Sequence, residues 1–193
     1  MEIYDIFMLP LEKRILARIR KAIIPRAIGN ILEVGYGTGV NFQYYNSASI
    51  KNLSALDIQS TSSAKAKATF PVDFFVGQAE NLPFTDESFD TVVETLVFCS
   101  VEDMDKAISE VLRVLKPGGL FIFIDHVLPE NKELASLFRA SNTVWSKIAG
   151  GCNLTREPHK HIRVAGFIIE QSGSSGHRIF RWGIGRKAPT SQL

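Results

Sequence analysis

Cysteine is scarce in this chain: two among 193 residues, Cys99 and Cys152. Two are too few for a disulfide scaffold, and no His or Cys pair stands at metal-ligand spacing. The reading is therefore a reducing, cytoplasmic compartment and no metal site. Long apolar runs are lacking as well. No stretch approaches the roughly 18 residues of a membrane span. The first residues lack the charged-then-apolar order and cleavage site of a secretory signal. Excess charge of one sign is also missing. Lys and Arg number 22 against 20 Asp and Glu, a net +2, which removes the broad electrostatic case for nucleic acid. No internal repeat or low-complexity tract is present, and Ser172 to Gly176 is expected to be a flexible loop. The remainder, 45% hydrophobic and 22% charged, is ordinary for a globular chain with one domain and a full core.

One stretch organises the rest. Ile31-Leu32-Glu33-Val34 reads as a buried central strand, and it runs into Gly35-Tyr36-Gly37-Thr38-Gly39. Glycines in that rhythm let the backbone bend tightly and approach a ligand without side chains in the way. About twenty residues on, Leu53 to Leu56 ends in Asp57, the spacing at which a nucleotide fold sets a carboxylate on a ribose. Ile58 follows at the same mouth. A dinucleotide fingerprint needs a glycine where Val40 stands, so G-x-G-x-x-G fails. Alone, the glycines require no more than a strand, a turn and a helix.

Around this nucleus the chain alternates. Val40 to Asn46 is predicted as a helix, Asn52 to Asp57 as a strand, Ser60 to Thr69 as a short helix and Asp73 to Gly77 as a strand. Phe89 to Val97 follows, with Glu94 and Thr95 at the end where parallel sheets bind ligands. Ser100 to Asp103 has the form of a capping box. Met104, Ala107, Ile108, Val111, Leu112 and Leu115 repeat at helical spacing until Lys116-Pro117-Gly118-Gly119 breaks the run before a strand from Leu120 to Asp125. Asn131 to Ile148 is a long helix, and Thr155 is placed to cap a short one. Phe167 to Glu170 and Arg178 to Lys187 complete seven strands. At the front, Pro10 opens a helix through Leu11, Ile15, Ile19 and Ile23 that Pro25 stops. Its cations Lys13, Arg14, Arg18, Arg20, Lys21 and Arg26 are expected on a solvated face. A peripheral contact with an anionic membrane surface stays open.

Several segments carry a family resemblance. Glu33 to Gly39, E-x-G-x-G-x-G, resembles the first motif of the class I S-adenosylmethionine (SAM)-dependent methyltransferases. Gly77-Gln78-Ala79-Glu80-Asn81-Leu82-Pro83-Phe84, closed by Phe89-Asp90, resembles the loop after strand three in ubiquinone-type methyltransferases. Leu115-Lys116-Pro117-Gly118-Gly119 resembles the lead-in to their fifth strand. Leu96-Val97-Phe98-Cys99-Ser100-Val101, Asp125-His126-Val127 and Gly151-Cys152-Asn153-Leu154-Thr155-Arg156-Glu157 are similar to the methyltransferase-like 7 family of thiol methyltransferases.

The resemblance implies an α/β fold: a Rossmann-like, seven-stranded, mostly parallel sheet with helices on both faces. Residues 1–193 would form one domain, with 1–28 as an N-terminal cap helix and 29–193 as the SAM-binding core. SAM would be the cofactor and S-adenosylhomocysteine the product. The cofactor would touch Glu33, Gly35, Tyr36, Gly37, Thr38, Gly39, Asp57, Ile58, Gln78, Ala79, Glu80, Glu94 and Thr95. Glu33 would meet its cationic charge, and Gln78, an aspartate in the family, would accept from the adenine amine. Leu82 and Phe84 would sandwich the purine or fill the core.

The acceptor would be a small apolar molecule, a thiol favoured, with Phe7, Met8, Phe98, Phe138 and Trp145 around it. His126, ending strand five, would serve an amine or hydroxyl acceptor as base, or else hydrogen-bond a loop. His126, Cys152 and Asn153 are expected to lie together. The cap is expected to cover the cleft, and deleting residues 1–26 to leave the sheet folded. A quinone C-methyltransferase or a phospholipid N-methyltransferase would share these motifs. A SAM-binding module without catalysis is the rival from another class. The chain has no N-P-P-Y tetrad, which argues against nucleic acid as substrate, and nothing in it sets an oligomeric state.

Overall fold

The structure is a computed structural model that describes residues 12–60, 62–176 and 178–189. Tyr4, Phe7, Met8, Pro10 and Leu11 of the expected cap lie outside these residues.

A π-helical turn, Glu12–Leu16, leads into helix α1, Ala17–Ile23, and a 3₁₀ turn at Ile24–Arg26. Strand β1, Gly29–Val34, is followed by 3₁₀ turns at Val40–Tyr44 and Ser47–Ser49 and then by β2, Ile50–Asp57. Helix α2, Ser62–Lys67, and strands β3, Asp73–Val76, and β4, Phe89–Thr95, come next. Helix α3 spans Met104–Val114, β5 spans Leu115–His126, and α4 spans Lys132–Ile148. Helix α5, Pro158–Val164, precedes the hairpin of β6, Ile168–Ser175, and β7, Phe180–Arg186.

The strands form one sheet in the order β3-β2-β1-β4-β5-β7-β6. Neighbours from β3 to β5 are parallel, while β7 runs antiparallel to β5 and β6. The chain winds outward from β1 through β2 to β3, then returns to place β4 on the other side of β1. That reversal opens a crevice beyond the carboxyl ends of β1 and β4.

Alternation along the strands divides the core. Leu32, Val34, Val92, Phe121 and Phe123 point to the face covered by α3 and α5, where Ile108, Val111 and Ile162 are fully buried. Ile31, Leu53, Val93, Ile122 and Ile124 point to the other face, which Leu16, Ile19 and Ile23 cover. Each such side chain contributes roughly 1.5–3 kcal/mol by burial. Residues 16–23 are thus core, and a deletion that removes them would strip one face of the sheet.

Several local expectations are corrected. The segment after the glycine turn is a 3₁₀ turn ending at Tyr44. Asp103, not Ser100, caps α3, accepting the Lys106 amide at 3.0 Å. Ser172 to Ser175 extend β6 instead of forming a loop. Thr155 caps nothing, since α5 starts at Pro158 after Glu157; its amide and hydroxyl donate to Asn153 Oδ1 at 3.0 and 2.8 Å. Leu82 is 3% exposed, and Phe84 packs edge-on against Phe75 and Phe89, so both belong to the core.

Candidate active site

The crevice is floored by the turn after β1. Gly35, Gly37 and Gly39 all have positive φ, at 71°, 49° and 70°. Gly35 is required twice over, because a Cβ there would also lie 2.1 Å from Val97 Cγ2. At Gly37 a Cβ would meet nothing within 4 Å, so the outer face of the turn is bare backbone. Asp57, at the end of β2, reaches this face. Its Oδ2 accepts the Gly37 amide at 2.8 Å and its Oδ1 the Gln59 amide at 3.2 Å. Each carboxylate oxygen keeps a lone pair for a further donor. Ile58 beside it is 66% exposed, and Gln78 is exposed after β3. A cradle of backbone, one carboxylate and an uncovered aliphatic surface suits a polar sugar joined to a flat aromatic base.

Other residues expected at the ligand lie beneath it. Tyr36 is 3% exposed, with its ring edge-on to Phe74. Glu33 falls on the Ile31 side of β1 and is 1% exposed. Its oxygens accept from Asn41 Nδ2 at 2.9 Å and Tyr45 Oη at 2.8 Å, so it braces the turn from below instead of meeting a ligand's charge. Burial, tempered by these bonds, raises its pKa to about 7. Arg20, expected on the solvated face of α1, is 4% exposed. It donates to Asn41 Oδ1 and, at 3.2 Å, to Thr95 Oγ1. Asn41 Nδ2 also donates to Thr95 at 3.1 Å. One buried network therefore ties α1 to the floor of the crevice.

Glu80 and Ala79 shape the loop after β3. Ala79 is 5% exposed, and Glu80 Oε1 accepts the Glu102 and Asp103 amides at 2.8 and 3.4 Å. Thr38, half-buried, completes the turn. Glu94 is fully buried, and its Oε1 accepts the Val97 and Phe98 amides at 2.6 and 3.3 Å. That clasp holds Leu96 at φ 61°, a left-handed conformation costing about 1–2 kcal/mol for a residue with a Cβ.

The second half of the site lies at the ends of β4 and β5. His126 Nε2 is 2.8 Å from Cys152 Sγ, and Trp145 Nε1 donates to the same sulfur at 3.3 Å. Cys99 joins them: the ligand atoms of Cys99, His126 and Cys152 lie within 4.8 Å of one another, all buried. The neighbouring Cys99 thiol, and then the imidazole, draw the Cys152 pKa down to about 5 against its burial. Contact with Cys152 and burial push Cys99 up. Asp125, fully buried, lies close to Glu94. The two buried carboxyl groups are hydrogen-bonded to each other, an acid pair that shares a proton. Burial first, and then Glu94, holds Asp125 well above the usual carboxylate range.

Asn153 is adjacent through its backbone, its amide donating to Cys99 O at 2.8 Å, while its side chain closes the local turn with Thr155. Arg156 staples the segment, donating to Phe98 O at 2.8 Å. Phe98 itself is fully buried in the core, and Phe138 is half-buried on α4. Sequence reasoning brought His126, Cys152 and Asn153 together but missed Cys99, Asp125 and Arg156. Cys99 and Arg156 stood within the quoted segments, yet spacing alone joins neither to His126.

A methyltransferase-domain family pattern matches residues 32–123. Thiol S-methyltransferase TMT1B of Rattus norvegicus is 39% identical over 144 residues, covering 71% of this chain and 59% of its own length. Thiol S-methyltransferase TMT1A of Homo sapiens is 32% identical over 174 residues, 86% of this chain and 70% of its own length. The chain thus spans about three-fifths of the rat relative. A putative methyltransferase of Bacillus halodurans C-125 shares the fold with a TM-score of 0.72 at 19% identity, over 90% of this chain and 99% of its own.

Proposed function

The chain belongs to the family of thiol S-methyltransferase TMT1A, within the class I methyltransferases, and from that premise we propose that it methylates a small apolar acceptor, a thiol in the first place, using SAM. The observation that carries this reading is the Asp57 carboxylate seated on the bare Gly37 amide at 2.8 Å. SAM supplies a methyl group on a cationic sulfur that a nucleophile can displace directly.

Each residue then has a task. Asp57 accepts from the ribose hydroxyls, and the exposed side chain of Ile58 lies along the purine. Gln78 accepts from the adenine amine. The turn from Gly35 to Gly39, with Thr38, accommodates the rest of the cofactor against backbone. Glu33, Tyr36, Thr95, Ala79, Glu80 and Glu94 hold that surface in place from below and behind. Holding the acceptor in line with the methyl supplies most of the rate, since positioning alone is worth several kcal/mol. On the acceptor side, His126 and Cys152 hold a proton between nitrogen and sulfur, and Trp145 covers them. A ubiquinone/menaquinone C-methyltransferase of Bartonella bacilliformis is 32% identical over 74% of this chain, and thiol is favoured because the thiol S-methyltransferases reach 39% identity.

Among the described residues no helix is long and apolar enough to cross a membrane. The reading places the protein in the cytoplasm, where two adjacent buried thiols stay reduced. Exposed Arg14, Arg18, Lys21 and Arg26 support a peripheral contact with anionic lipid. The test is acceptor profiling: the full chain with SAM and matched panels of thiols, amines and quinols, read as S-adenosylhomocysteine formed. Thiols should dominate. Turnover confined to amines or quinols would overturn the acceptor class.

A further inference from the structure

We propose that Cys99, His126 and Cys152 form a three-ligand site for a borderline-soft divalent cation of the zinc class, whose fourth position takes the acceptor as its thiolate. The second half of this statement rests on the thiol reading above; the first does not.

The three residues come from three places: the turn after β4, the end of β5 and the loop after α4. Their ligand atoms lie within 4.8 Å of one another. Tetrahedral zinc bonds of about 2.3 Å to sulfur and 2.0 Å to nitrogen put two sulfurs about 3.8 Å apart and sulfur and nitrogen about 3.5 Å apart. The cluster, with its limit of 4.8 Å, is about 1 Å wider than these spacings, so an ion draws its outermost ligands inward. Its one tight distance, 2.8 Å from His126 Nε2 to Cys152 Sγ, is that of a shared proton. An ion takes the proton's place and parts the two atoms by about 0.7 Å. The second thiol proton leaves with it, so two thiolates balance a divalent charge and the buried cluster stays neutral. Two sulfurs and one imidazole select zinc-like ions over magnesium or calcium, which want oxygen.

Asp125 precedes His126, is fully buried, and pairs its carboxyl with that of the equally buried Glu94. It is an electrostatic neighbour of both thiols. Strain is also placed here, in Leu96, whose carbonyl accepts from Cys99 Sγ at 3.5 Å.

Three protein ligands leave one tetrahedral position, the pattern of sites that bind a substrate rather than only brace a fold. An acceptor R–SH entering it loses its proton to water as the metal–sulfur bond forms. The sulfur lone pair then makes the new S–CH₃ bond while the donor's C–S bond breaks, its electron pair staying on the donor sulfur. The thioether formed is neutral and binds the cation weakly, so it departs.

The test uses the full chain, reduced with a phosphine so that no reagent thiol competes, and titrated with cobalt(II) chloride as a spectroscopic stand-in for zinc. The site predicts thiolate-to-cobalt absorption that saturates at one equivalent and is abolished by added zinc. It predicts loss of that saturation in Cys99→Ser, Cys152→Ser and His126→Gln, each checked for a native circular-dichroism spectrum. Thiophenol should then shift the cobalt bands. No such absorption in the wild-type chain overturns the site, whatever the variants do. Absorption that thiophenol leaves unmoved overturns the acceptor position. Titration of S-adenosylhomocysteine on the same samples keeps the two readings apart. Cobalt binding without nucleoside binding would fault the proposed function alone, and the reverse would fault the metal site alone.

Discussion

Asp57 Oδ2 and the Gly37 amide meet at 2.8 Å across twenty residues of sequence. The contact joins the ends of two parallel strands and sets an acid at the lip of a turn that carries no side chain on its outer face. Both partners serve the turn and face the crevice, so the folded and ligand-binding roles of the site are separable only by choosing substitutions with care.

Gly35 and Gly37 separate them. Both have positive φ, so alanine costs about 1–2 kcal/mol at either position. At Gly35 the new Cβ also collides with Val97, adding about 1–3 kcal/mol of overpacking. Gly35→Ala should therefore lower the urea midpoint more than Gly37→Ala. Gly37→Ala should fold yet lose affinity for S-adenosylhomocysteine. Equal midpoints for the two variants would contradict the assignment.

Arg20 is expected to matter for stability more than for charge. It is buried and bridges Asn41 and Thr95. Arg20→Met should destabilise the protein by about 1–3 kcal/mol, the usual cost of leaving buried polar partners unsatisfied. A change below about 0.5 kcal/mol, the scale of ordinary surface substitutions, would show that the network is not formed.

Glu33 makes stability pH-dependent. Its pKa is about 7 folded against 4.5 for the free group, so between those values the folded state binds more protons than the unfolded state. The contribution is whole below about pH 4.5 and is lost as pH rises through about 7, on the order of 3 kcal/mol. Denaturant unfolding at pH 5 and pH 8 should show the fall, with Glu94, also raised to about 7, adding to it. Glu33→Gln should flatten the slope. A slope unchanged in that variant would remove Glu33 as its source.

Much of this was legible in sequence, for reasons that can be named. The strand before the turn is apolar, the turn is glycine, and the acid follows at ribose spacing. All three are local facts with one structural outcome. Arg20 was misplaced because a helical cation is normally solvated, and only the chain packed against α1 shows Asn41 and Thr95 waiting for it. Glu33 could have been read better: alternation along β1 puts it on the side of Ile31, away from Leu32 and Val34. Cys99 and Cys152 are 53 positions apart, and the β4–β5 pairing, the Asn153 amide on Cys99 O and the Arg156 staple bring their sulfurs together.

His126 tests the acceptor side. His126→Ala should leave affinity for S-adenosylhomocysteine within about twofold while lowering thiol turnover about 10²-fold or more. A histidine acting only as base would spare a thiol, which ionises without help. One that holds the sulfur-binding cluster would not. Normal thiol turnover in this variant would remove the cluster from the acceptor site.

The most direct test of the central claim is calorimetric titration of S-adenosylhomocysteine into the wild-type chain, Asp57→Asn and Asp57→Ala. The account predicts one site per chain in the wild type. Asp57→Ala should lose about 1.5–3 kcal/mol, the scale of hydrogen bonds to a charged group, with Asp57→Asn between the two because its amide oxygen can still accept the Gly37 amide. Wild-type affinity in Asp57→Ala, or no binding by the wild-type chain, would contradict it.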